Sequence, residues 1–327
     1  MKRDNRNDKK PSSVEKGVGR RAFLLGAVCA GLATGIGGLP GMNRHRAEAA
    51  DIDTSLLKDV IDMHIHTYPD IRERRLNDIE LAMEAKRVGA RAIVIKSHLF
   101  PTMNRAWIAE KVVPGVRVFG AITLNPEVGG INPQAVDAAI KMGAKVVWLP
   151  TSSSSHERRL GGKTGGVESV VDNKLVPSLI EVLKLIAKNK VVLGTGHLSF
   201  KEIKMVIEEA KKLGVKKIVV THPEWWSLNM SIEEQKQLVP YGVYFERCYA
   251  CRWPGKDYAV NFEKNLRAIE ALGHESTIIS TDGGQVENPM WSEALSQYLQ
   301  FMIKAGVSKE ILDKMTKVYP ADLLDLA

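Results

Sequence analysis

Eight short apolar runs, separated by longer amphipathic stretches, constrain this chain more than any other feature of its sequence. The runs are Val60 to His66, Arg91 to His98, Val116 to Leu124, Lys145 to Pro150, Val191 to His197, Lys217 to His222, Val243 to Cys248 and Thr277 to Asp282. Helical spacing fills many of the gaps: Asn77 to Val88, Pro133 to Met142 behind the cap Asn132, Val176 to Asn189, Ser199 to Leu213, Ser231 to Leu238 and Phe262 to Leu272. Several of these segments stop at a glycine (Gly89, Gly143, Gly214, Gly273), which supplies the left-handed turn that ends a helix. Strands alternating with helices predict parallel βαβ units. Eight such units between residues 50 and 327 predict an α/β fold, a single-domain (β/α)8 TIM barrel. An open dinucleotide-binding sheet would carry Gly-x-Gly-x-x-Gly in its first turn, and this chain does not.

Residues 1–49 do not belong to that pattern. Arg20-Arg21 precede a weakly hydrophobic, glycine-rich run from Gly26 to Pro40, and Ala47-Glu48-Ala49 follows as a small-x-small cleavage pattern. This resembles a twin-arginine signal peptide, which implies the export machinery as partner of the precursor and a periplasmic or extracellular mature protein. The apolar run falls short of the roughly 20 residues of a membrane span; a retained anchor is the plainer alternative. The formal net charge of +8 belongs mostly to this leader, which holds ten of the 46 basic and four of the 38 acidic residues. The remainder is nearly neutral, with no basic stripe interleaved with aromatics, so no nucleic-acid partner is expected. Cys248 and Cys251 leave two readings open, a local disulfide or two free thiols, in neither case metal ligands.

A barrel builds its site at the carboxyl ends of its strands, and the chemistry-bearing residues collect there. His64 and His66 end the first run, Lys96 and His98 the second, His197 the fifth, His222 the sixth and Asp282 the eighth. Positions two apart on a strand share a face, about 7 Å apart, so His64 and His66 can converge on one ion at about 2.0–2.1 Å. Ordinary half-buried histidines are the bland alternative for that pair alone. Of seven histidines beyond the leader, five lie at those strand ends. His156 sits in a loop on the same side, and only His274 falls at the opposite end.

His64-x-His66, Gly196-His197, Thr221-His222-Pro223 and Ser280-Thr281-Asp282-Gly283, in that order, resemble the amidohydrolase superfamily. The tail Tyr319-Pro320-Ala321-Asp322-Leu323-Leu324 resembles the segment that often closes those barrels. The resemblance implies that His64, His66, His197 and Asp282 hold a divalent metal, with Asp282 moving a proton and His222 orienting the attacking oxygen or polarising the substrate. Three imidazoles and a carboxylate suit Zn²⁺, while Fe²⁺ or Mn²⁺ fits the same ligands. Two-metal members carry a carboxylated lysine or a glutamate on strand four; here Lys145-Val146-Val147-Trp148-Leu149 offers neither at its carboxyl end, so one metal is expected. A carboxylated Lys96 bridging two metals is the alternative.

Lys96, His98 and Arg105 are the candidate substrate contacts, for a carboxylate or phosphate, with Asp70 and Arg72 in reach on the first loop. The Thr151 to Gly166 connection is long enough for a lid or a mobile surface loop. Trp225-Trp226 can wall the pocket, and of Glu246 and Arg247 at most one points inward. The expected activity is metal-dependent hydrolysis of a C–N or ester-type bond in a small, anionic or neutral molecule. A metal-dependent decarboxylase uses the same residues, and a metal- or ligand-binding barrel without turnover is the non-enzymatic reading.

Overall fold

The computed structural model describes residues 53–252 and 254–326; the leader lies outside them. Nine parallel segments follow the eight predicted runs: β1 Ile61–His66, β2 Ala92–Lys96, β3 Arg117–Phe119, β4 Ala121–Thr123, β5 Val146–Trp148, β6 Val192–Gly194, β7 Ile218–Val220, β8 Tyr244–Arg247 and β9 Thr277–Ile279. β1, β2 and β3 pair in one sheet; β4, β5, β6, β7, β8 and β9 pair in sequence order in a second.

The third predicted run is thus split in two. The break is Gly120, where a Cβ would fall on the backbone of Thr102 and Met103, at the start of helix Met103–Val112. β3 therefore serves β2 while β4 serves β5. At the other edge, Ile65 makes a parallel bridge to Gly283, and the His66 N–H donates to the Gly283 carbonyl at 2.9 Å.

The helices form where sequence and caps agree. Asn77, Ser199 and Ser231 each close a capping box with the glutamate three residues on, and Asn132 accepts from Gln134 and Ala135. Helix Phe200–Lys212 buries Ile203, Val206, Ile207 and Ala210, one stripe at helical spacing. Those residues join a large cluster with Val147, Leu193 and Ile218, on the helix-facing side of the strands. A second layer, Ile61, Val94, Val146, Val192, Val219 and Ile278, faces the opposite way and packs with Ala321, Leu323 and Leu324 of helix Tyr319–Leu324. The tail thus fills the amino-terminal end of the strands, and the carboxyl ends are left for polar residues.

Candidate metal centre

The first strand is not regular. Its register against β2 shifts between Asp62 and Ile65, and a bulge of this kind re-aims the side chains beyond it. Ile61 and Met63 pack into the inner layer, Ile65 packs against the helices, and the rings of His64 and His66 come to 5.3 Å between centroids. Asp62 holds this kink in place. Its buried carboxylate accepts the N–H groups of His64 (3.0 Å) and Thr281 (3.1 Å), the Thr281 hydroxyl (2.7 Å) and the Trp291 indole (2.8 Å). Burial pushes that carboxyl up to about 6 while these four bonds pull it down. Gly284 completes the turn after Asp282: its φ is 106°, and a Cβ there would fall on the His66 carbonyl.

Asp282 is the meeting point. Its Oδ1 lies 3.0 Å from His64 Nε2 and 3.1 Å from His66 Nε2. His64, His222 and Asp282 offer ligand atoms that all lie within 4.8 Å of one another. The His197 ring packs edge-on against His222, 4.8 Å between centroids, and is the one predicted ligand outside that tightest trio and its Asp282 contacts. His222 and Asp282 both sit at positive φ, 22° and 48°, a conformation non-glycine residues hold only where their surroundings impose it.

Two carboxylates behind the histidines decide which nitrogen faces inward. Glu246 Oε2 lies 2.9 Å from His64 Nδ1, and Glu157 Oε2 lies 2.7 Å from His197 Nδ1. A carboxylate takes the N–H, so each Nε2 turns a lone pair to the interior. For His64 that lone pair meets a carboxylate oxygen, an arrangement that calls for a cation. Lys96 Nζ lies 2.9 Å from the same Nε2, and burial pushes that amine below its ordinary range. His197 Nε2 and His222 Nδ1 are buried with no protein partner. Orphaned imidazole nitrogens around an ionised carboxylate fit a divalent ion, Zn²⁺ by their chemistry.

Three of the imidazoles are held in the form that suits such an ion. Burial, then Arg74, holds His66 well below the ordinary imidazole range; burial, then His197, does the same to His222; burial, then His66, to His98. Neutral imidazoles are the ligating form. Burial lowers His64 too, but Asp282 and Glu246 outweigh it and the net direction is up. Burial raises the Asp282 carboxyl, but His64 and His66 overcome this and keep it well below the usual carboxylate range. For Glu157 the burial cost is outweighed by His197 and by hydrogen bonds from Ser227 and Trp225, which bring it down to about 2.

A cavity of about 670 Å³ opens above these groups, lined by His98, His197, His222 and Asp282 and walled by Trp225 and Trp226. His98 faces it, its Nδ1 2.8 Å from the Thr151 hydroxyl. Lys96 is not among the residues that line it; its buried ammonium lies against His64 and 5.2 Å from the Trp148 ring centre. Arg105 does not line it either. Its guanidinium donates to Asp78, to the Thr67 hydroxyl and to the carbonyls of Thr67 and Pro69, bracing the first loop from behind. Arg72 does line the cavity, and Asp70 binds Arg74.

Three residues matter that the sequence did not single out for these roles. Glu157 comes from helix Ser155–Leu160, formed inside the connection read as a lid or mobile loop, and Trp225 Nε1 (3.0 Å) and the Ser227 hydroxyl (2.5 Å) also donate to it. Glu246 proves to be the inward member of the Glu246–Arg247 pair, while Arg247 pairs with Glu224. Arg74 is buried at the cavity wall. Cys248 and Cys251 are buried free thiols, Cys248 near Glu246 and His64.

A model described as "Family of unknown function (DUF6282)" matches residues 59–246. The chain belongs to that family. The matched stretch holds His64, His66, His197 and His222, together with both supporting glutamates; Asp282 lies beyond it. Among curated proteins no sequence matches the chain. Solved structures do resemble it. An amidohydrolase from Pseudomonas aeruginosa superposes with a TM-score of 0.56 at 14% identity, covering 82% of this chain and 97% of its own. A dipeptidase described as a metallopeptidase gives 0.57 at 11% identity, covering 82% and 98%. An amidohydrolase from Burkholderia multivorans, solved with bound zinc, gives 0.53 at 12% identity, covering 82% and 99%. At such identities the likeness is one of fold.

Proposed function

We propose that this chain is a metal-dependent hydrolase built on a closed (β/α)8 barrel. Closure is supported at both sheet edges, by the β3–Gly120–β4 continuity on one side and the Ile65–Gly283 bridge on the other. The observation that carries the function is the pair of buried carboxylate–imidazole contacts, Glu246–His64 and Glu157–His197, flanking His222 and facing Asp282. Structural histidines have no need of two buried carboxylate partners that both turn Nε2 inward. The fold shared with a zinc-bound amidohydrolase and a metallopeptidase supports the same reading.

His64, His66, His197 and Asp282 would hold the ion, one Zn²⁺ by preference, with Fe²⁺ or Mn²⁺ matching the same donors. When bound, it supplies Lewis acidity and lowers the pKa of water toward about 7. Asp282, kept ionised by the two histidines, takes the proton of the attacking water and delivers it to the leaving nitrogen or oxygen. His222, between His64 and His197, polarises the scissile group. Trp225 and Trp226 keep bulk water from the cavity. A single ion is favoured because Trp148 ends β5 where two-metal enzymes place a bridging ligand. The substrate is a small molecule with a C–N or ester-type bond. Residues 1–49 would act as a twin-arginine leader that exports the folded, metal-loaded chain.

The test is a panel of lactones, esters and amides with the zinc-loaded protein. Turnover in the parent that is lost in Asp282→Asn, with zinc retained at least in part, is the expected result. Metal without turnover on any substrate would favour a binding barrel and refute the hydrolase.

A further inference from the structure

Arg74 is a buried cation in the cavity wall that the metal chemistry does not use. It is 5% exposed, and its Nε donates to Asp70 Oδ2 at 2.9 Å. Nη2 lies 2.8 Å from the same oxygen, but outside hydrogen-bond geometry, and finds no acceptor elsewhere. A buried guanidinium that spends both contacts on one carboxylate oxygen keeps N–H donors in hand, and a buried donor left unsatisfied is costly. The backbone that carries it is pinned: Arg74 bridges to Gln285, the Arg75 N–H donates to the Gly284 carbonyl at 3.0 Å, and the Arg75 guanidinium reaches the Val286 carbonyl at 2.7 Å. These clamps set Arg74 beside the turn that carries Asp282, and its charge acts on His66.

We propose that the substrate carries a carboxylate, seated on the Arg74 guanidinium at the cavity wall, with Arg72 at the rim. The inference rests on the metal-dependent reading above and names the class of molecule it acts on. Guanidinium is the side chain whose fork of donors matches a carboxylate. A single negative charge matches what Arg74 has left to offer, because Asp70 already balances part of its charge. Arg252, a third arginine of the wall, is paired with Glu287 at 3.4 Å. Arg72, exposed and on the same loop, adds attraction without burial.

Three hydroxamates test this with the zinc-loaded protein by calorimetry: acetohydroxamate, the monohydroxamate of succinic acid, and the neutral amide of that monohydroxamate. The succinic probe is expected to bind about 10- to 100-fold tighter than its amide, the worth of a hydrogen-bonded ionic contact. The double variant D70N/R74Q removes the cation together with its counterion, so no buried charge is left unpaired. It is expected to erase that preference while acetohydroxamate binds as before. Should that variant not fold, Arg74→Lys keeps the charge and the Asp70 pair but loses the fork, and is expected to cut the preference several-fold. Equal affinity for the succinic probe and its amide in the parent, or a preference that survives loss of Arg74, overturns the inference. Failure of acetohydroxamate to bind the parent would instead bring down the metal centre, and the inference with it.

Discussion

Glu157 is the sharpest place to perturb the site, because in the proposed centre it would act on the ion through His197. Its Oε2 receives three hydrogens, from His197 Nδ1 at 2.7 Å, Trp225 Nε1 at 3.0 Å and the Ser227 hydroxyl at 2.5 Å. The first is the one that would orient a proposed ligand. In Glu157→Gln an amide oxygen can still accept that hydrogen but without charge, and charged hydrogen bonds are worth roughly 1–1.5 kcal/mol more than neutral ones, or about 10-fold. In Glu157→Ala the imidazole loses both its orientation and its tautomer control, and a 10- to 100-fold loss of zinc affinity is expected. Competition with a chromogenic zinc chelator at pH 7.5 reads these values. A double-mutant cycle isolates the route: in a His197→Ala background, Glu157→Ala is expected to cost almost nothing further. An undiminished loss in that background, or no loss in the single variant, would refute the claim that Glu157 orients a metal ligand.

Other consequences follow from particular contacts. Asp282→Asn is expected to lower kcat by about 10²–10⁴-fold while His64→Ala and His66→Ala lose zinc and activity together and lower the melting temperature; elemental analysis beside the substrate panel separates the two outcomes. Burial pushes the Cys251 thiol up to about 11 and the Cys248 thiol well above its ordinary range, so the reactive thiolate is scarce near neutral pH; both are expected to resist iodoacetamide at pH 8 in the native protein and to react on unfolding. Replacing both with serine is expected to leave zinc content unchanged, and loss of zinc would make Cys248 a ligand after all. Changing Arg20 and Arg21 to lysine is expected to strand the precursor in the cytoplasm, read by fractionation, and normal export of that variant would remove the leader assignment.

The strand positions were legible because each is a short run of β-branched and aliphatic residues, and because parallel strands buried on both faces need such runs. His64, His66, His222 and Asp282 were legible because they sit at the ends of those runs. Helix Met103–Val112 was not. It buries Met103, Ala106 and Ala109 but exposes Trp107, Ile108 and Val112, so its apolar residues circle the axis and carry no period. Helix Trp291–Lys304 hides Ser292 and Ser296 among its buried residues, which blurs its stripe in the same way. Glu157 and Arg74 lie in connections, where nothing in local spacing shows which charged side chain turns inward. Their partners, His197 and Asp70, are known only once the chain has folded. Lys96 and Arg105 mark the converse limit: a cation at a strand end or in a strand-end loop reads as a substrate contact, yet one lies beneath His64 and the other behind the first loop.

The central claim is that His64, His66, His197 and Asp282 surround a single divalent ion. Elemental analysis of the purified protein, grown with ample zinc and freed of loosely bound metal, tests it most directly. One ion per chain, falling to near zero in a His64→Ala/His66→Ala double variant, is the expected result. No stoichiometric divalent metal in the parent, or an undiminished content in that variant, would contradict it.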